Sequence, residues 1–200
     1  LSMITTEMIK TLRQATGAGV LDCKKALEAT GGDFDKAVEH IHEKGLAAAT
    51  KKAGRAANEG IIEAYIHAGG GQGAILELNC ETDFVARTPD FHQLAHDLAM
   101  QVVASRPLYL SLDDVPPEVL EAEREKYRAQ ALEEGKPERI VERIVAGRMK
   151  KFLKESCLLE QPFIKDEDMT VEELIRQAIV KLGENIVVHR FSRYEVGEEE

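Results

Sequence analysis

A chain of 200 residues with a hydrophobic fraction of 44% has room for one medium domain, or a small one beside a larger one, and the ordinary make-up of a water-soluble globular protein. No apolar run reaches the length that spans a bilayer, and no basic-then-apolar signal peptide opens the chain, so a cytoplasmic protein without membrane contact is expected. The net charge of −10 lies beyond residue 59, because residues 1–59 hold nine Lys and Arg against eight Asp and Glu; an acidic main body argues against direct nucleic-acid binding, which needs clustered cations.

Cys23, Cys80 and Cys157 are widely spaced and odd in number, and no C-x-x-C pair occurs. Neither a zinc site nor a redox motif is indicated, and three free thiols suit a reducing compartment.

Thr5 or Thr6 is placed to cap a helix running to about Ala15, with Ile4, Met8, Leu12 and Ala15 at helical spacing. Gly17-Ala18-Gly19 breaks it, and a second helix is expected from about Leu21 to Ala29, burying Cys23 and Leu27. After Gly31-Gly32, Asp33 starts a third helix with Phe34, Ala37, Val38 and Ile41 on one face, closed by Gly45. Three short helices make a bundle of marginal size, assigned to residues 3–45. Thr16-Gly17-Ala18-Gly19 has two readings: a structural turn, or, with Val20, a small apolar patch that another backbone can approach closely. Residues 46–59, rich in Ala and Lys, read as a helical linker. Lys51, Lys52 and Arg55 read as its solvated face, since no aromatic is interleaved as in a nucleic-acid site.

Residues 60–196 read as an α+β core. Ile62, Ala64 and Ile66 alternate with polar residues, as do Ala74, Leu76 and Leu78, so a β-hairpin is expected around Gly69-Gly70-Gly71-Gln72-Gly73. This glycine run lacks the Lys and Ser/Thr of a phosphate loop and joins two strands, so the chain has no nucleotide-binding motif of its own. The second strand leads through Glu77-Leu78-Asn79-Cys80-Glu81-Thr82-Asp83-Phe84-Val85-Ala86-Arg87 to a helix capped by Thr88 and opened by Pro89. A strand-to-helix junction is a surface connection of the kind that carries function. Pattern alone favours Phe84 in the core and Asp83 as a helix cap.

The helix after Pro89 has Phe91, Leu94, Ala95, Leu98 and Val102 as its apolar stripe. His92 and His96 lie four apart, but no third metal ligand stands at motif spacing. A loop over 107–117, with at most a short strand near Tyr109, leads to a charged helix from Glu118 to Glu134 with a sparse stripe at Leu120, Tyr127 and Ala131. Pro137 opens the next helix, to about Cys157, with Ile140, Val141, Ile144, Val145, Phe152 and Leu153 to bury; the two read as an antiparallel pair. Gln161-Pro162-Phe163 begins a short extended piece. Thr170-Val171-Glu172-Glu173 is a capping box for a helix carrying Leu174, Ile175, Ala178, Ile179 and Leu182. A last strand follows from Ile186 to about Val196, with Arg190 and Ser192 on the face of Val188 and Tyr194; its edge or adjacent face is a candidate dimer contact, without a disulfide at Ser192. Residues 197–200 read as a disordered tail.

Three motifs, in order along the chain, resemble the elongation factor Ts family, the guanine-nucleotide exchange factors of bacterial translation. They are Leu12-Arg13-Gln14-Ala15-Thr16-Gly17-Ala18-Gly19 with Asp22-Cys23-Lys24-Lys25-Ala26-Leu27, then Asn79-Cys80-Glu81-Thr82-Asp83-Phe84-Val85-Ala86, then Gly183-Glu184-Asn185-Ile186. The resemblance implies an N-terminal three-helix bundle like a ubiquitin-associated domain, a helical linker and a small antiparallel sheet of about three strands packed with helices. It implies a non-covalent exchange factor rather than an enzyme, with no cofactor or metal of its own, acting on elongation factor Tu in its GDP-bound state. The bundle would dock on the GTPase through Arg13, Thr16, Gly17, Ala18, Gly19 and Val20. Asp83 and Phe84, flanked by Thr82 and Val85, would insert beside its Mg²⁺ site. A chain this short, with one core unit, implies a homodimer. Without the resemblance, the rival readings are a peptide-binding adaptor built on the bundle and a metal-dependent hydrolase using His92, His96 and nearby carboxylates.

Overall fold

The computed structural model describes residues 4–198. Met3 and the last two residues of the expected tail, 199–200, lie outside the described residues. Within this span eight helices and a three-stranded antiparallel sheet form, as an α+β chain.

Short-range signals act where they stand. Helix α1 (Thr6–Thr16) begins at Thr5, whose hydroxyl accepts from the Met8 N–H, and ends at Gly17 with φ +68°, a conformation that favours glycine. Helix α2 (Val20–Ala29) follows at once. Helix α3 (Phe34–Lys52) is capped by the Asp33 carboxylate, which accepts from the Lys36 N–H. Leu12, Cys23, Ala26, Leu27, Ala37 and Ile41 form the bundle core, with Ile4, Met8, Ile9, Ala18 and Val38 packed on it.

Helix α3 does not stop at Gly45, as expected, but runs to Lys52, so no separate helix follows it. Glycine costs a helix interior only about 1 kcal/mol against alanine. Here it fills a steric need: a Cβ on Gly45 would stand 2.9 Å from Cγ2 of Val180.

Strands β1 (Glu59–Ile66) and β2 (Gln72–Cys80) form the expected hairpin, and β5 (Ile186–Glu195) pairs on the other side of β2, giving the order β1-β2-β5. Between them lie the one-turn helix α4 (Asp83–Ala86), α5 (Pro89–Ser105), α6 (Pro117–Glu133), α7 (Glu138–Ser156), the two-stranded sheet β3 (Pro162–Phe163) with β4 (Asp166–Thr170), and α8 (Val171–Leu182). The expected strand near Tyr109 is a single parallel bridge to Cys157. The stripe of α5 is buried at every expected position. Helices α6 and α7 enclose Ala131, Val141, Val145 and Met149, with Leu120, Tyr127, Ile144 and Phe152 against them; Ile140, expected inside, stays exposed. The capping box of α8 is complete, Thr170 N–H to Glu173 Oε2 at 2.8 Å and Glu173 N–H to Thr170 Oγ1 at 3.2 Å.

Strand β5 shows the imperfect alternation expected, with Arg190, Ser192 and Tyr194 exposed. Val188 is buried, but His189 and Arg190 are both exposed, and the phase is shifted from Phe191 onward. Arg190 then reaches Glu77 at 2.8 Å, while Arg193 Nε donates to the Val103 carbonyl oxygen.

The chain divides into two compact units. One comprises residues 4–61, 79–94 and 175–187; the other comprises 62–78, 95–174 and 188–198. In the second, Gln101 is fully buried and fully used: its amide donates to Ser105 Oγ, Gln161 Oε1 and the Pro162 carbonyl oxygen, and its oxygen accepts from the Ile164 N–H at 2.9 Å.

Candidate functional site

The junction after β2 lies in the first unit. β2 ends at Cys80, buried, with its thiol donating to the Thr82 carbonyl oxygen at 3.1 Å. Burial, and after it the negative charge of Glu184, push that thiol above the ordinary cysteine range. The chain then turns. Thr82, not Asp83, is the N-cap of α4, and its hydroxyl accepts from the Val85 N–H at 3.5 Å. Asp83 is the first helical residue and pairs with Arg87, four positions on, at 2.7 Å. Thr88 closes this turn by donating its hydroxyl to the Val85 carbonyl oxygen, and opens α5 by accepting from the Phe91 N–H at 3.3 Å.

Phe84 is not in the core, as the apolar pattern favoured: 79% of it is exposed. The reason is helical geometry. Ala86 is buried, and a residue two positions away on a helix points to nearly the opposite side. The buried aromatic of this region is Phe91 instead. An exposed ring stands beside a carboxylate on a single turn of helix.

What fixes that turn comes from far along the sequence. One oxygen of Glu184 accepts from the backbone N–H groups of Glu81, at 3.1 Å, and Thr82, at 3.0 Å; the other accepts the Thr82 hydroxyl at 2.6 Å. Glu81 returns the contact: its Oε1 accepts from the Asn185 N–H at 2.6 Å and faces the Arg55 guanidinium at 3.5 Å. Asn185, 2% exposed, donates its side-chain amide to the Arg55 carbonyl oxygen at 2.8 Å. Charged acceptors on backbone donors make strong hydrogen bonds. Two of the three sequence motifs therefore meet here. The sequence quoted Gly183-Glu184-Asn185 without giving it a role; the available signal was an acid and an amide directly before an apolar strand.

The N-terminal candidates lie in the same unit. Thr16 donates its hydroxyl to the Leu12 carbonyl oxygen at 2.8 Å and accepts from the Ala18 N–H at 3.3 Å. Gly17 ends α1 and Gly19 precedes α2, so the structural reading of this turn holds. Ala18 is partly buried against the bundle core, while Arg13 is exposed and Val20 and Leu21 are 51% and 71% exposed. An apolar step at the start of α2 is thus present as well.

His96 is engaged with residues of β1. His96 Nδ1 is 3.0 Å from Glu63 Oε1, and its ring meets Tyr65 edge-on, with centroids 5.4 Å apart. Among the described residues no group of three or more His, Cys, Asp and Glu is arranged to hold a metal ion. No described helix is long and apolar enough to cross a membrane.

The family model described as Elongation factor TS matches residues 5–198. The chain is 61% identical to Elongation factor Ts of Moorella thermoacetica over 196 residues, which is 98% of this chain and 97% of that protein. It is 59% identical to Elongation factor Ts of Syntrophomonas wolfei, over 98% of this chain and 92% of the relative. The protein of the same name from Carboxydothermus hydrogenoformans is also 59% identical, over 98% and 90%. A match over nearly the whole length, at this identity, means that this chain belongs to the elongation factor Ts family.

Proposed function

We propose that this chain is the guanine-nucleotide exchange factor for elongation factor Tu, and that it promotes GDP release by pressing Asp83 and Phe84 against the Mg²⁺ and phosphate site of the GTPase. GDP is held largely through its phosphates and the ion that bridges them to protein. A ring entering an apolar slot gains about 1.5–3 kcal/mol, enough to favour a partner conformation with displaced Mg²⁺ ligands. Nucleotide and factor then weaken each other's binding by the same ratio, so incoming GTP expels the factor. No covalent step is involved.

The single observation that carries this reading is the 79% exposure of Phe84 on a turn whose backbone is hydrogen-bonded from both sides. Thr82 and Val85 flank the ring. Thr82 gives its hydroxyl to Glu184, and Val85 is half-buried, so these two hold the ring rather than reach beyond it. Residues 3–45, as a bundle like a ubiquitin-associated domain, dock on the nucleotide-binding domain through Arg13 and the Thr16–Val20 turn; residues 46–59 connect it to the core. The open step at Val20 supports that docking.

The working form is a cytoplasmic homodimer without nucleic acid or cofactor. It is supported by exposed Ile66, Ile75, Tyr194 and Val196, which line one shallow groove of about 270 Å³ in the second unit. An apolar sheet face of that kind suits a second copy. The deciding experiment is release of labelled GDP from purified elongation factor Tu with and without this protein. Acceleration that disappears in Phe84→Ala is expected; no acceleration by the unaltered protein rejects the reading.

A further inference from the structure

We propose that Glu184 is a positioning residue for nucleotide exchange: its carboxylate clamps the Glu81-Thr82 junction and so presents the Phe84 ring in one fixed direction. The proposal rests on the reading given above for Asp83 and Phe84. It begins from an asymmetry in the structure. The ring itself touches little of its own chain, yet the residues just before it are bound unusually tightly. Glu184 takes three donors, two backbone N–H groups and one hydroxyl, within 2.6–3.1 Å. Glu81, the residue between β2 and the cap, is tied back to Asn185 at 2.6 Å. Asn185 in turn holds the Arg55 carbonyl oxygen.

A strand end of this kind needs only that its N–H groups meet water or any acceptor. A carboxylate that collects both amides and the N-cap hydroxyl does more. It fixes the φ and ψ values of Glu81 and Thr82, and these set the axis of α4. That helix has four residues, too short to hold its own direction. A side chain mounted on it points where the clamp sends it. Without the clamp the ring would be ordered only when the complex forms, at an entropic cost to association.

The test compares Glu184→Ala, Glu184→Asp, Glu184→Gln, Phe84→Ala and the double variant Glu184→Ala/Phe84→Ala. Labelled-GDP release from elongation factor Tu is measured against factor concentration, with thermal melting of each free protein. Glu184→Ala is expected to lower the maximal release rate about tenfold, as misplacement of a working group does. Glu184→Gln should recover most of this, because its amide oxygen accepts from the two N–H groups and its NH₂ donates to Thr82 Oγ1. Glu184→Asp keeps the charge and withdraws the oxygens by one methylene; it should slow release as well, and it decides the matter if the alanine variant does not fold. In the Phe84→Ala background, Glu184→Ala should add less than about twofold, because positioning an absent ring has no effect. A folded Glu184→Ala or Glu184→Asp protein with an unaltered maximal rate, beside a slow Phe84→Ala, overturns the clamp alone. So does an undiminished Glu184→Ala effect in the Phe84→Ala background. Phe84→Ala at the unaltered rate overturns the underlying reading, and the clamp with it.

Discussion

Phe84→Ala separates a surface lever from a core residue, because the two roles give opposite results. In the free protein 79% of Phe84 is already in water, so truncation removes little buried area and should change stability by less than about 0.5 kcal/mol. A core phenylalanine would cost about 3–5 kcal/mol. In the complex the position is reversed. Enclosing a phenylalanine removes about 150 Å² or more from water, of which roughly 120 Å² remains uncovered here. At about 25 cal/mol per Å², and allowing for the retained Cβ, the loss is about 2–3 kcal/mol. That corresponds to a fall of roughly 30- to 150-fold in the second-order rate constant for accelerated GDP release. Stopped-flow release of fluorescent GDP from elongation factor Tu measures it, and a melting curve of the free variant provides the control. A rate constant within twofold of the unaltered protein, with the fold intact, would refute the assignment. A large drop in melting temperature would refute the claim that the ring is free of its own chain.

Three further outcomes follow from packing and charge. Gly45→Ala improves helix propensity by about 1 kcal/mol, but its methyl would meet Val180 at 2.9 Å, and a β-branched neighbour has little rotamer freedom to yield, so a net loss of stability is expected in melting experiments, relieved by Val180→Ala; a stabilised single variant would count against the contact. Gln101→Leu leaves the Ile164 N–H and its other partners unpaired inside the second unit and should cost about 2–4 kcal/mol in denaturant unfolding, whereas a near-neutral effect would show that water enters the site. The Arg128 guanidinium holds the Glu142 carboxyl below the ordinary glutamate range, so the pair's contribution is present above that range and lost as pH falls through the lowered value. Both groups are exposed, so the effect is small. The melting-temperature gap between the unaltered protein and Glu142→Gln, present at pH 7, should close only once the pH falls below the ordinary glutamate range, and a gap undiminished in strong acid would show that charge is not its source.

What was legible in the sequence is what depends on near neighbours. Thr5, Asp33 and Thr88 cap because the side-chain oxygen of each accepts from the backbone N–H three residues on, and the Thr170–Glu173 box is written in four consecutive letters. The stripe of α5 follows from helical period alone. What was not legible depends on partners remote in sequence. Gly45 reads as a stop until Val180 is brought beside it. The β4 strand carries Asp166, Glu167 and Asp168, a polar run that no strand pattern suggests, and it pairs only because Pro162 and Phe163 double back on it. For Phe84, local reading points inward, since large aromatics are mostly buried; only the family resemblance points outward. The Glu184 clamp was invisible because each of its residues, taken alone, is an ordinary surface polar group.

An exchange factor must discriminate between two states of its partner, and this bears on how the ring is held. A ligand that binds both states equally shifts nothing, however tightly it binds. A phenylalanine on a loose loop adapts to either state of a GTPase surface. Its differential affinity is then small, although its area is not. On the proposed mechanism, the same ring on a turn fixed by Glu184 before it and Thr88 after it would fit one geometry of the slot and miss the other. Rigidity would then convert buried area into a preference for the nucleotide-releasing state. The ion pair of Asp83 with Arg87 adds to this only at the margin, because both groups are well exposed. On the proposed mechanism the exchange activity would need both the ring's buried area and the hydrogen bonds that aim it.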